Sequence, residues 1–194
     1  SRHRNQYEAQ YRFATFLQQR GLTQLANAEN KALIKSFPKN AGPHNNLGIS
    51  YIRAKKIDLA EASFREALRI QPDHGKANAN LGTLLAQKGK LSDAIPHLKQ
   101  AVKSNQQDGK ILAMLSQLLL KLERWPEAQT SLEKALKLNP NSPNHCSSLG
   151  FALAKQGQLQ QAVEHLEQAL KLEPTHADAR RNLTTIRRLI EQGQ

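Results

Sequence analysis

The side chains able to do chemistry recur at one spacing. Asn46 and Asn80 stand 34 residues apart (80 − 46), and Asn182 lies three such steps further on (182 − 80). Lys76 and Lys110 keep the same interval (110 − 76), as do Lys121 and Lys155 (155 − 121). A carboxamide donates and accepts hydrogen bonds at once, so a spaced row of them can hold an extended backbone without reading its side chains. Cations beside such a row favour carboxylates. That is recognition chemistry, and the residues for bond-making chemistry do not assemble. The seven histidines do not cluster. His145 and Cys146 are neighbours on one helix and diverge, with His165 on the next. Cys146 reads as a small buried residue. Glu164 and Glu167 share a helix face with Lys171, the pattern of solvated pairing rather than acid–base work. No glycine-rich phosphate loop follows a strand. Catalytic residues, metal ligands and cofactors are therefore not expected.

What must position these side chains is the 34-residue unit itself. Leu47, Leu81, Leu115 and Leu149 follow it (81 − 47, 115 − 81, 149 − 115), and so do Ala60, Ala94, Ala128 and Ala162. Pro38, Pro72, Pro140 and Pro174 keep the phase, with Gln106 in the slot that lacks proline. A period of this length marks a repeat array without a single central core. Within 41–74, Leu47 and Tyr51, then Ala60, Phe64, Ala67 and Leu68, fall at three- and four-residue steps, which predicts two amphipathic helices. Lys55 and Lys56 make the turn between them. Asp58 opens the second helix near its positive end, and Gln71-Pro72 stops it. Gly48, Gly82 and Gly150, with Ala14 and Ser116 in the other repeats, are expected to keep each first helix thin where the second crosses. The alanines at 26, 60, 94, 128 and 162 do the same from the facing side.

Along the chain, residues 1–6 are expected as a polar, basic leader or as the first turn of a helix. Five repeats then follow over 7–176 (7–40, 41–74, 75–108, 109–142 and 143–176). Residues 177–194 form one capping helix, with an apolar stripe of Ala179, Leu183, Ile186 and Ile190. In the first repeat Asn30 stands where later ones place Phe64, Leu98, Leu132 and Leu166, and a face toward water is expected to accommodate it. Ser92 is expected to cap a helix, Pro96 to lie in its first turn and Pro126 to be the first helical residue of another. The chain opens on Ser1 without Met, which points to a piece of a longer protein.

Leu47-Gly48, Tyr51, Ala60, Phe64, Ala67 and Pro72, repeated in phase, closely resemble the tetratricopeptide repeat family. The resemblance covers about Tyr7 to His176. It implies an all-α, right-handed superhelical solenoid of antiparallel helix pairs, with a concave groove lined by the first helix of each pair. It also implies extended peptides or partner proteins as ligands. The groove places of the family fall on basic Arg12, Arg53, Lys76, Lys110, Lys121, Lys155, Arg181 and Arg188, against only Glu8 and Asp178. They also fall on Asn46, Asn80 and Asn182, with Ser148 and Met114 in the equivalent slot. Ile49, Ile52, Met114, Leu120 and Phe151 add apolar contact. The residues expected to touch a peptide are Asn46, Asn80, Arg53, Lys76, Lys110, Met114, Lys121, Phe151 and Asn182. The family's clamp for a terminal carboxylate matches at only two of five places from either starting repeat, and is not expected.

Lys plus Arg number 28 against 16 Asp plus Glu, a formal charge of +12, which favours acidic partners. Aromatics are few for stacking on bases, so nucleic acid is not the expected partner. No apolar run is long enough to cross a bilayer. The single cysteine rules out an intrachain disulfide and favours a reducing, cytoplasmic compartment. A second basic row, Lys35, Arg69, Lys103, Lys137 and Lys171, occupies the last turn of each second helix, where cations complement the helix dipole. The expected function is a non-enzymatic scaffold binding an extended acidic peptide or partner segment. The alternative is the substrate-recruiting arm of a larger enzyme such as a glycosyltransferase, with RNA binding third.

Overall fold

The computed structural model describes residues 2–105 and 108–193. Gln106 and the end points Ser1 and Gln194 lie outside the described residues. Among the described residues the chain forms eleven α-helices and no strand. They are α1 (Arg2–Gln19), α2 (Thr23–Ser36), α3 (Ala41–Arg53), α4 (Ile57–Ile70), α5 (Gly75–Gln87), α6 (Leu91–Ser104), α7 (Gly109–Lys121), α8 (Trp125–Leu138), α9 (Pro143–Ala154), α10 (Leu159–Leu172) and α11 (Ala177–Glu191). Two compact units divide them, Ser1–Asn105 with α1–α6 and Gln106–Gln194 with α7–α11. In the first, α1 packs on α2, α3 on α4 and α5 on α6; α2 also packs on α3, and α4 on α5. In the second, α7 packs on α8, α9 on α10, α8 on α9, and α11 closes against α10 and α9. The architecture is all-α, built of antiparallel helix pairs.

Each hairpin is drawn together by small residues at its crossing. A Cβ added at Gly48 would land on the Phe64 ring, one at Gly82 would come within 2.8 Å of Leu98, and one at Gly150 within 2.7 Å of Leu166. The facing alanines Ala26, Ala60, Ala94, Ala128 and Ala162 are wholly buried. Turns within the hairpins share one left-handed residue per period: Gly21, Gly89 and Gly157 at φ 76°, Lys55 at 58° and Glu123 at 57°. Glycine adopts this conformation freely, whereas lysine and glutamate pay a steric cost there. Asp108 and Ser142 cap the first helices α7 and α9, and two histidines cap α5 and α11. His74 Nδ1 accepts from the Ala77 amide at 3.1 Å and His176 Nδ1 from Ala179 at 3.2 Å. In the second unit the core gathers Leu132, Cys146, Leu149, Leu153, Leu166, Leu183 and Ile186.

The structure departs from the sequence reading at several points. Helix α1 begins at Arg2, so of the two readings of residues 1–6 the described ones take the helical one. No glycine or proline interrupts residues 2–19, and Arg4 reaches Glu8 one turn on at 3.4 Å. Asn30 does not face water. It is fully buried, donating from Nδ2 to the Ala26 carbonyl at 2.7 Å and accepting from Asn46 Nδ2 at 3.3 Å. The α6 helix starts before Ser92, because the Ala94 amide closes the first turn onto the Lys90 carbonyl at 3.1 Å. Pro96 consequently sits in the second turn. The bond it cannot make belongs to the Ser92 carbonyl, and both residues are exposed, so water can satisfy it. Pro126 is the second residue of α8 rather than the first.

Candidate functional site

In the first unit, the sides of α3 and α5 enclose a small pocket of about 140 Å³. Ile49, Ile52 and Leu84 make its apolar wall, Phe64 is its buried floor, and Asn80, Thr83 and Gln87 supply the polar groups. Ile49 and Ile52 are there because they lie three apart on α3; Asn80, Thr83, Leu84 and Gln87 follow a three- and four-residue rhythm on α5. The volume suits one aliphatic side chain. Lys76, exposed one turn before Asn80, and Arg53, beside Ile52, add positive charge along the same helices.

The carboxamides do not share one environment. Asn46 is only 4% exposed and wedged between layers. Its Nδ2 donates to Asn30 Oδ1 at 3.3 Å and lies 3.5 Å from Thr15 Oγ1. It stitches the second hairpin to the first and is not offered to a ligand. Asn80 is half-buried, donates to Asn45 Oδ1 of the preceding hairpin at 2.8 Å, and still lines the pocket. Asn182 is half-buried on α11.

The cations divide in the same way. Arg12 is 3.9 Å from Glu8 and Arg181 is 2.7 Å from Asp178, so the two acids expected in the groove each neutralise a neighbour on their own helix. Arg53 donates to the Gln18 carbonyl at 3.1 Å, capping the end of α1. In the second unit, Lys155 Nζ lies 5.6 Å from the Phe151 ring centre and 5.9 Å from that of Trp125. The two rings meet edge to face at 5.6 Å, and Phe151 is half-buried by this contact. Lys76, Lys110, Lys121 and Arg188 are exposed, and Met114 is half-buried on α7. The outer row holds the expected places: Lys35, Arg69, Lys103, Lys137 and Lys171 each lie in the last turn of a second helix.

Two larger clefts were not expected from the sequence. One of about 440 Å³ in the first unit is lined by Tyr7, Tyr11, Arg12, Lys39, Asn40 and His74 among others. Tyr7 and Tyr11 stack at 5.6 Å, and Phe37 meets Tyr7 edge-on. Gly42 leaves room for this, since a Cβ there would approach the Tyr11 ring to 2.8 Å. Burial pushes both phenols above their ordinary range. The aromatic pair at Tyr7 and Tyr11, four apart, was the legible signal. The other cleft, also about 440 Å³, lies in the second unit among Gln117, Asn144, His145, Ser147, Ser148 and His176. Its polar, mostly uncharged lining suits amide or hydroxyl groups. Burial holds the His145 imidazole below its usual value. Among the described residues no group of three or more His, Cys, Asp or Glu could hold a metal ion, and no helix is long and apolar enough to cross a membrane.

Comparison with known proteins adds a family and a fold. The family model for the cilia and flagella-associated protein 70 C-terminal domain, a tetratricopeptide domain, matches residues 2–186. Among solved structures, YrrB, a TPR protein with an unusual peptide-binding site, superposes with a TM-score of 0.71 at 22% identity, covering 88% of each chain. A MamA protein (AMB-1) does so with a TM-score of 0.71 at 22% identity, covering 89% of this chain and 94% of that one. The pilF protein of Pseudomonas aeruginosa follows with 0.67 at 18% identity, over 99% of this chain and 94% of that one. No protein of curated function matches the sequence at a significant level. At these identities the structural likeness establishes the fold.

Proposed function

The chain belongs to the family of the cilia and flagella-associated protein 70 C-terminal domain, and from that premise we propose that it is a non-enzymatic module binding an extended acidic peptide along its first helices. A tetratricopeptide fold is a protein-interaction scaffold. We read it as five repeats over 7–176 with a closing helix over 177–194. The finer reading rests chiefly on the α3–α5 pocket, where an aliphatic-sized hollow is bordered by a carboxamide and flanked by Arg53 and Lys76. An extended peptide would seat one Leu- or Ile-sized side chain against Ile49, Ile52 and Leu84. Asn80 would meet its backbone, and Arg53 and Lys76 its acidic neighbours. In the second unit Lys110, Met114, Lys121, Phe151 and Asn182 are the corresponding contacts. Asn46 drops out of the contact set because its carboxamide is consumed inside the fold.

The test is fluorescence anisotropy with a labelled peptide of one leucine flanked by Asp and Glu. Ile52→Glu, and separately Lys76→Glu with Lys110→Glu, should each weaken binding by roughly tenfold or more. All of these positions are partly or fully exposed, so helicity and melting should hold. Undiminished affinity in both variants would refute the assignment.

A further inference from the structure

One place in the repeat changes its chemistry from helix to helix. As second residue of a first helix, α5 carries Lys76 and α7 Lys110, whereas α9 carries Asn144 and α11 Asp178. Arg181 pairs with Asp178 at 2.7 Å. Past α7, this place therefore offers no free cation. Asn144 and Asp178 both line the cleft of about 440 Å³ between α7, α9 and α11. Its lining falls between Ala113 and Asp178, all within the second compact unit.

The hydrogen bonds around the cleft fix which way its amide points. His176 Nδ1 accepts from the Ala179 amide at 3.2 Å. The ring proton therefore sits on Nε2, which donates to Asn144 Oδ1 at 3.0 Å. With its oxygen engaged, Asn144 presents its NH2 group, two donors, at the cleft wall. Ser147 and Ser148 add hydroxyls, and Gln117 an exposed carboxamide from α7; each both donates and accepts. An anion finds less here. The helix-starting amides of His145 and Ala179 are already taken by Ser142 Oγ and His176 Nδ1, and Asp178 sets a carboxylate in the same wall. The lining is satisfied by an uncharged group that accepts at one atom and donates at the next. Leu120 and the buried Leu132 offer contact to its methylenes.

We propose that this cleft holds a run of uncharged, hydrogen-bonding side chains of a partner peptide, with a Gln or Asn carboxamide seated between Asn144, Ser148 and Gln117. The ligand's carboxamide oxygen accepts from the Asn144 NH2 group, and its own NH2 donates to Gln117 Oε1 and Ser148 Oγ. This rests on the reading of the first helices as a peptide-binding surface. It gives the second unit a preference unlike that of the α3–α5 pocket, where Arg53 and Lys76 favour acids. A volume of about 440 Å³ falls within the roughly 300–1,000 Å³ of ligand sites and admits more than one side chain. Exchanging the carboxamide for a carboxylate removes the donor that Gln117 and Ser148 accept. It also adds a charge that no lysine or arginine of the described lining meets.

The probe is acetyl-Gly-Ser-Gln-Asn-Ser-Gly-amide, titrated into the whole isotope-labelled chain and followed by amide chemical shifts. Its twin replaces Gln and Asn by Glu and Asp. Saturable shifts at Asn144, Ser147 and Ser148 are expected with the neutral peptide, and affinity for the acidic twin should be lower by roughly tenfold. Gln117→Leu changes an exposed position, and Asn144→Asp places a carboxylate at a helix start, where it favours the fold. Each should weaken the neutral peptide by roughly three- to tenfold. Equal affinity for the two peptides, or binding by both variants as tight as wild type, overturns the proposal. So does a neutral oligosaccharide, maltotriose, that shifts the same residues and displaces the peptide, which would assign the cleft to carbohydrate. The acidic leucine peptide is titrated into a parallel sample. Shifts from it at Ile49, Ile52 and Asn80, with none in α9 from the neutral probe, would sink this proposal and leave the α3–α5 pocket standing. The reverse pattern would uphold the cleft and remove the acidic pocket alone.

Discussion

Asn46 offers the sharpest way to separate a residue that holds the fold from one that holds a ligand. Its carboxamide and that of Asn30 are 4% and 0% exposed, and the Nδ2···Oδ1 contact between them is 3.3 Å. Asn46→Ala leaves Asn30 Oδ1 without that donor in a place water does not reach. An unsatisfied buried acceptor costs about 1–3 kcal/mol. Asn30→Ala removes the acceptor and also the 2.7 Å bond to the Ala26 carbonyl, so it should cost a similar amount. In the double variant neither group remains to be stranded. Its loss should fall short of the sum of the singles by about 1 kcal/mol, within the range measured for directly bonded neighbours. Urea unfolding of the four proteins, followed by far-ultraviolet dichroism, gives the cycle, and peptide affinity is measured on the same samples. Additive losses within about 0.3 kcal/mol would mean the pair does not interact. An Asn46→Ala protein of unchanged stability but weakened peptide binding would return Asn46 to the ligand surface and refute the packing account.

Other expectations follow from particular contacts. Lys55→Gly and Glu123→Gly relieve left-handed strain of about 1–2 kcal/mol, offset by glycine's roughly 0.5–1 kcal/mol of backbone entropy; each should raise the urea midpoint slightly, while Gly89→Ala lowers it. Gly48→Ala drives a methyl into the Phe64 ring and should destabilise by about 1–3 kcal/mol, and Ala94→Leu should do likewise; equal midpoints to wild type would show a looser crossing than described. Burial, more than nearby Lys76, holds His74 below its ordinary value near 6.5, and burial does the same to His44, His97 and His145. Between the depressed folded values and about 6.5 the unfolded chain binds more protons, so stability is full above that range and declines as pH falls through it. Protonation also removes the acceptor at His74 Nδ1, so His74→Ser, which retains a cap, should show a smaller loss of melting temperature between pH 7.5 and 5.

Much of the architecture is legible in the chain because its causes are local and periodic. A helix needs apolar residues at three- and four-residue steps, and Leu47, Tyr51, Ala60 and Phe64 display them without reference to anything distant. The crossings are equally plain, since Gly48, Gly82 and Gly150 recur where a close approach requires them. Boundaries were less readable. Ser92 and Pro96 look like a helix start, yet the Lys90 carbonyl closes the first turn earlier, a backbone matter that side-chain types do not encode.

The candidate site was only half visible for a different reason. Asn46 and Asn80 hold the same place in the repeat and the same chemistry. Their fates diverge because each is judged by the hairpin before it. Asn46 meets Thr15 and a polar Asn30 where other hairpins have Phe64 or Leu98, and so it is drawn inward. Asn80 meets Asn45, bonds with one end, and keeps a side toward the pocket. Sequence alone settles which residues repeat and which helices pair. Whether a given carboxamide or aromatic ring faces a neighbour or a partner depends on contacts made across some thirty residues of chain, which only packing brings together.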